Sequence, residues 1–105
     1  KRFEGAPGTN PEELVAAAHA SCFSMALSMI LGEAGFTADD ISTRAVVSLE
    51  QKDGGFAVTK SHLTVTAKVP GASAEEFDKA AQTAKDNCPI SKLLTAEITM
   101  DASLA

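Results

Sequence analysis

The sequence has no tryptophan and no tyrosine, so five phenylalanines are its only large aromatic residues for a core. Two cysteines are too few for a secreted disulfide scaffold or for an all-cysteine zinc site. Basic residues are also scarce, nine against fourteen acidic ones, and the net charge of −5 disfavours nucleic acid or an anionic membrane as partner. Because two thiols in a small acidic protein fit a reducing compartment, we predict a cytoplasmic location.

The chain has 105 residues, of which 45% are hydrophobic and 22% charged, and this predicts one globular domain over residues 1–105. Its hydrophobic pattern changes from a helical period to a period of two and back again. Asp53-Gly54-Gly55 lies between two alternating segments and predicts a hairpin. The predicted order is helix, strand, strand, helix, short helix and strand, which indicates an α+β fold with a mainly antiparallel sheet. The predicted elements are a helix from Pro11 to Glu33, strands Arg44–Glu50 and Phe56–Val69, a helix capped by Ser73 and ending at Asn87, a short helix Ile90–Leu94 and a strand Thr95–Leu104.

The first predicted helix contains no charged residue from Leu14 through Gly32. This stretch approaches the length of about 20 residues that crosses a bilayer. However, His19 and several serines lie within it, its start is acidic and it has no basic flank, which disfavours a membrane span or a signal peptide. The other interpretation is a fully buried helix, apolar all round because it is covered all round. Since one small sheet covers one side only, we expect a second subunit on the remaining faces.

The two cysteines are the main candidates for chemistry. Cys22 lies in the middle of the apolar helix, where a buried cysteine is usually a small core residue. Cys88 directly precedes Pro89 at a helix break, so backbone N–H groups and the helix dipole would favour its thiolate. Because 65 residues separate the two cysteines, their spacing forms no motif and their pairing depends on the fold.

A metal site is an alternative use of these residues. His19 and Cys22 share a helical face at a spacing that metal ligands use, and Cys88 and His62 are the only other soft ligands. His62 shares the polar face of its strand with lysines, which predicts exposure to solvent. The ordinary interpretation of His19 is a histidine bonded to a backbone or hydroxyl partner. From the residues alone, we therefore predict a redox-capable dimer.

Three segments carry a resemblance to a known family. The runs GTNPEEL at 8–14, AHASCFSMALS at 18–28 and AKDNCPIS at 84–91 closely resemble the OsmC/Ohr family of organic hydroperoxide peroxidases, and the first two are most similar to its OsmC branch. The resemblance implies an intertwined homodimer with two central helices wrapped by sheets. It also implies that the family's N-terminal β-hairpin segment is absent from this sequence, which opens just before Arg2.

The resemblance also assigns roles to four residues. Cys22 corresponds to the peroxidatic cysteine, Cys88 to the resolving cysteine, Arg2 to the arginine that holds the thiolate, and Glu12 to the glutamate that orients this arginine. Glu12 precedes Cys22 by ten residues, about 15 Å along a straight helix. Glu12 would therefore act through Arg2 or from a partner helix running antiparallel.

The implied activity is a peroxiredoxin-like reduction of organic hydroperoxides, and less efficiently of hydrogen peroxide, in oxidative or osmotic stress defence. It proceeds through a Cys22 sulfenic acid and a Cys22–Cys88 disulfide, with no metal or bound cofactor. An external dithiol such as dihydrolipoamide would restore the thiols. The apolar neighbours Phe23, Met25 and Met29 favour an organic peroxide, although core packing is their more common role. A non-catalytic interaction or ligand-binding domain with structural thiols is the alternative function.

Overall fold

A computed structural model describes residues 10–52 and 54–104 of the chain. All the predicted elements occur in the predicted order, which confirms the α+β class. The first strand begins earlier than expected, because Asp40 already pairs with Lys68 in the sheet. The elements are α1 (Pro11–Glu33), β1 (Asp40–Lys52), β2 (Gly55–Lys68), α2 (Ala74–Asn87), α3 (Pro89–Leu93) and β3 (Glu97–Leu104).

The ends of the two long helices follow their local sequences. The Asn10 side chain accepts a hydrogen bond from the Glu13 backbone N–H at 2.9 Å and caps α1. Gly35, which follows the end of α1, has a φ of 92° that other residues rarely adopt. Ser73 and Glu76 form the predicted capping box at the start of α2. These local signals mark where both helices begin and where α1 ends, without any tertiary contact.

The sheet has three strands in the order β1-β2-β3 and is mixed. β1 and β2 form the predicted antiparallel hairpin, in which Ala45 lies opposite Leu63. β3 pairs with β2 in parallel, with Met100 next to Leu63, so the prediction of a mainly antiparallel sheet was wrong for this pair. The physical reason is the connection: α2 and α3 carry the chain back along the sheet, as crossovers between parallel strands do. The alternation of residues in β3 predicted its faces and contained no information about its direction.

The core lies between one face of the sheet and the helices. α1 packs mainly against β1, whereas α2 contacts α1 and β3. The period of two in β2 and the helical period in α2 correctly predicted which residues of these elements face the core. The buried residues are Leu63, Val65, Ala67 and Val69 from β2 and its end, and Phe77, Ala80, Ala81 and Ala84 from α2.

Helix α1 is covered on one face only within this chain. Its buried residues His19, Phe23, Leu27 and Leu31 recur at helical spacing on that face. The sequence led us to expect a second subunit that completes the burial of this helix, and in the single chain one sheet and one long helix cover only part of its circumference. By length and composition alone α1 could also cross a membrane, a test that the core helix of a soluble protein passes as well. Its exposed large apolar residues are Leu14, Met25 and Met29, at 60%, 72% and 61% exposure.

Candidate redox site

The two cysteines meet where α1 contacts α3. Cys22 is half-buried in the middle of α1, and Cys88 is fully buried at the residue that caps α3. Both are free thiols, and their side chains lie close enough for the Cys88 thiol to affect the pKa of Cys22. The tertiary structure thus pairs two residues whose spacing in the sequence left the pairing open.

The described surroundings of Cys22 hold its thiol in the protonated form. Burial raises the pKa of Cys22 above its usual range, and the hydrogen bond and nearby charge of Cys88 raise it further. The backbone of Ile90 acts in the opposite direction, since a hydrogen bond from its N–H to the Cys22 sulfur lowers the pKa. A reactive thiolate at Cys22 therefore needs a further positive group.

The first turn of α3 directs a backbone N–H to the sulfur of Cys22, whereas the sequence predicted the sulfur of Cys88. The sequence predicted that Cys88 would receive hydrogen bonds from free N–H groups at this helix start. Instead, the Cys88 side chain makes no capping hydrogen bond to α3, and the Ile90 N–H is directed to Cys22. The reason is that α1 places the Cys22 sulfur at the first turn of α3, a contact that no local pattern contains.

His19 links three elements beside the thiol pair. Its Nδ1 lies 2.7 Å from Ser61 Oγ on β2, and its Nε2 lies 2.7 Å from Ser91 Oγ on α3. The ring is fully buried, and burial lowers the pKa of His19 below 6.5, which favours the neutral imidazole. These two bonds agree with the ordinary interpretation of His19 as a histidine with hydroxyl partners.

The two serines were missed by sequence reasoning. Ser61 continues the inward face of β2 that Leu63 and Val65 occupy, and a polar residue at such a core position is a usable signal for a buried hydrogen bond. Ser91 has no comparable signal, because its position against His19 depends on how α3 lies on α1. The same limit applies to Ile90.

The remaining predicted site residues are not brought to Cys22 by the described part of the chain. Arg2 lies outside the described residues. Glu12 is half-buried in the first turn of α1, about 15 Å from Cys22 along the helix. It borders a cavity of about 260 Å³ between the start of α1 and β1, whose lining includes Arg44. Within one chain, Cys22 and Glu12 therefore lie in two separate regions of the same helix.

The residues considered as metal ligands make other contacts in the structure. His62 was expected to be exposed, yet it is half-buried on the outer face of the sheet, with Nδ1 2.6 Å from Thr99 Oγ1 and Nε2 3.1 Å from Asp101 Oδ2. The neighbouring strand β3 supplies both partners, which the sequence pattern of β2 did not contain. Within residues 10–52 and 54–104, no cluster of three or more His, Cys, Asp or Glu residues could hold a metal ion.

Residues 3–103 of the chain match the model of a protein family that is described as OsmC-like protein. The chain is 59% identical over 103 residues to Peroxiredoxin OsmC of Escherichia coli strain K12, which covers 98% of this chain and 72% of that protein. It is 31% identical over 102 residues to organic hydroperoxide resistance protein OhrB of Bacillus subtilis strain 168, over 96% of this chain and 73% of that protein.

The fold is shared with solved structures as well. An OsmC-like protein of Vibrio cholerae superposes with a TM-score of 0.80 at 24% identity, over 90% of this chain and 64% of that one. At this identity the likeness supports the fold alone. The profile match and the higher identity to the E. coli protein lead to one conclusion: this chain belongs to the OsmC family of cysteine-based peroxidases, nearer to its OsmC branch than to its Ohr branch.

Proposed function

We propose that this OsmC-family peroxidase reduces organic hydroperoxides with Cys22 as the peroxidatic and Cys88 as the resolving cysteine. The observation that supports the proposal most directly is the contact between the two free thiols, one half-buried and the other fully buried. The half-buried thiol is open to a substrate, whereas the buried thiol is reached from within the protein. This difference in access suits the two roles.

The reaction balances with the two thiols and one external reductant. The Cys22 thiolate attacks a peroxide oxygen, the O–O bond breaks, and the alkoxide leaves and takes a proton to become an alcohol. Cys22 is then a sulfenic acid. The Cys88 sulfur attacks it, water leaves, and a Cys22–Cys88 disulfide forms. An external dithiol, for which dihydrolipoamide is our candidate, is oxidised to its own disulfide as it returns both cysteines to thiols.

The first step needs a group that lowers the pKa of Cys22, because burial and Cys88 raise it. We assign this role to Arg2, since an adjacent guanidinium favours the thiolate. Glu12 would orient that guanidinium. Because Glu12 lies about 15 Å from Cys22 along α1, it acts either through Arg2 or from the helix of a second subunit.

A homodimer is part of the proposal and is supported by the uncovered side of α1. Met25 and Met29 share one helical face and are 72% and 61% exposed in the single chain, and Leu14 is 60% exposed. A second copy of the same helix would remove this apolar surface from water. We expect sedimentation to give twice the chain mass for the parent protein, and Met25→Glu with Met29→Glu to yield monomers. A parent protein that sediments as a monomer at high concentration would contradict this part.

The proposed substrate class is supported by the family relationship more than by the apolar neighbours of Cys22. Phe23 was one of the neighbours expected to favour organic peroxides, yet it is fully buried and belongs to the core. Met25 and Met29 are exposed in the single chain, but the proposed partner helix would cover them. We propose organic hydroperoxides as substrates on the relationship to the OsmC and Ohr proteins, in a cytoplasmic protein of oxidative or osmotic stress defence.

One experiment tests the peroxidase function. Reduced protein is mixed with one equivalent of an organic hydroperoxide, and free thiols, alcohol product and protein mass are measured. We expect the loss of both thiols and a mass change of about −2 Da, because a disulfide has lost two thiol hydrogens. Hydrogen peroxide at the same concentration should react more slowly. Unchanged thiols would favour a non-catalytic domain instead.

A further inference from the structure

We propose that His19 is a positioning residue for disulfide formation, the second step of the reaction, and that it works by holding α3 against α1 so that Cys88 reaches Cys22. This inference deepens the proposed peroxidase function and rests on it for its biological meaning. Its physical content, the closeness of two thiols, can be measured without any peroxide.

The need for such a residue comes from how weakly α3 is held. α3 has five residues and none of them is buried, and Leu93 is 73% exposed. A helix of this length has almost no stability of its own, and most helices in proteins are held by the packing of an apolar face. Since α3 buries none of its residues fully and only Ile90 and Ser91 in part, a side-chain hydrogen bond has a large part in placing it.

The hydrogen bond between His19 and Ser91 supplies that attachment. Ser91 follows Cys88 by three residues, and His19 precedes Cys22 by three, so the bond lies about one turn from the thiol pair on both helices. The other ring nitrogen is held at 2.7 Å by Ser61, itself fully buried on β2. The ring is thus anchored to the sheet and to α3 at once.

His19 is placed to position rather than to transfer protons. A neutral imidazole donates from one nitrogen and accepts at the other, and a serine hydroxyl can take either role, so both ring nitrogens are occupied. The groups that shift the pKa of Cys22 are Cys88 and Ile90, and His19 is not among them. Loss of the His19 bond would therefore act through the location of α3.

The chemical step is sensitive to that location. The sulfenic acid of Cys22 and the thiol of Cys88 combine to a disulfide and water, and the S–S bond requires a narrow range of backbone separations. Holding the two sulfurs together raises their effective concentration, which is the main advantage of an intramolecular reaction. A loosened α3 lowers it.

The test uses three serine variants of the whole protein. Ser91→Ala removes the partner of His19 from α3 without removing a buried apolar side chain, Ser91→Thr keeps a hydroxyl, and Ser103→Ala changes an exposed serine of β3 as matched control. After one equivalent of hydroperoxide, peroxide loss reports the first step and disulfide formation the second. A 1,3-diketone traps any sulfenic acid that accumulates.

We expect Ser91→Ala to slow disulfide formation about tenfold more than peroxide consumption, with trapped sulfenic acid at Cys22. Ser91→Thr should recover most of the rate and Ser103→Ala should match the parent. Equal slowing of both steps, or no slowing of the second, would overturn the inference. If Ser91→Ala unfolds, Ser61→Ala releases the ring from β2 and should have the same direction of effect.

A second readout separates this inference from the peroxidase proposal. In a glutathione redox buffer, the ratio of intramolecular disulfide to dithiol measures how close the two thiols are held. We expect this ratio to fall about tenfold in Ser91→Ala, which matches the loss of effective concentration. A parent protein that forms the disulfide here but ignores peroxide would reject the peroxidase function alone. An unchanged ratio in Ser91→Ala would reject the positioning role alone.

Discussion

Cys22 lies within α1, whereas Cys88 lies between two helices, as the C-cap of α2 and the N-cap of α3, and α1 and α3 are held in opposite ways. α1, which carries Cys22, has 23 residues, and four of them are buried against the rest of the chain. α3, which follows Cys88, has five residues and buries none of them. Yet the cysteine on the firmly held helix is the more accessible, and the cysteine at the weakly held one is fully buried.

The contrast shows that the accessibility of a residue does not follow from how firmly its helix is held. A peroxidatic cysteine must meet substrate at a constant position, so a half-buried sulfur on a firm helix is suitable. A resolving cysteine must move closer to the first sulfur after oxidation, because an S–S bond of about 2.05 Å is shorter than any non-bonded contact between two sulfurs. A short helix with few apolar anchors permits that approach, since regions with few buried contacts open at low free-energy cost.

The largest effect should come from replacing the two cysteines in turn. Cys22→Ser should abolish peroxide consumption, because the other thiol of the site, Cys88, is fully buried and not open to peroxide. Cys88→Ser should still consume one equivalent and then stop with a sulfenic acid, since Cys22 lacks its partner. Peroxide loss and protein mass distinguish the two variants. Equal activity in both variants would contradict the different roles assigned to Cys22 and Cys88.

The difference in anchoring should be the next largest effect. Phe23 is fully buried on α1, so Phe23→Ala should lower the free energy of unfolding by about 3–5 kcal/mol. Leu93 is 73% exposed on α3, so Leu93→Ala should change it by less than about 0.5 kcal/mol. Urea denaturation of the reduced protein measures both. Similar losses would mean that α3 is anchored as firmly as α1.

The third prediction concerns the charge that acts on Cys22. If Arg2 lowers the pKa of this thiol against the effects of burial and Cys88, Arg2→Ala should move the pH midpoint of peroxide consumption upward by about one unit or more. The loss of rate should accordingly be greatest at low pH and shrink at alkaline pH. Stopped-flow rates from pH 5 to 10 test this, with Lys79→Ala, the loss of an exposed cation on α2, as the control. An unshifted midpoint would mean that another group activates Cys22.

The smallest effect should be a pH dependence of stability from His19. Burial lowers its pKa below 6.5 in the folded state, so in the interval below 6.5 the unfolded chain binds a proton that the folded chain does not. Stability is then lost as pH falls through this interval, by at most about 1.4 kcal/mol per pH unit. Urea denaturation of the parent and of His19→Gln at pH 7 and pH 5.5 isolates the contribution. Equal pH dependence in both proteins would contradict it.

Much of the fold could be predicted because its signals are local. Asn10-Pro11 and Ser73 mark the helix starts, Gly54 permits the hairpin turn, and the alternation in β2 assigns its buried face. The direction of β3 could not be predicted, since alternation is the same for parallel and antiparallel strands. The site divides similarly: the resemblance nominated Cys22 and Cys88, whereas Ser91 and Ile90 act through contacts that depend on the placement of α3.

The sequence by itself determined which segments are helix or strand and which of their faces are apolar, because backbone capping, turn residues and periodicity act over a few neighbours. It also determined the family, through residues grouped around each cysteine. Only the tertiary structure decided that Cys22 touches Cys88, that the Ile90 N–H is directed to Cys22, and that His19 joins Ser61 to Ser91. These contacts span 42 to 72 residues for the histidine alone, and distances of that kind are set by how whole elements pack.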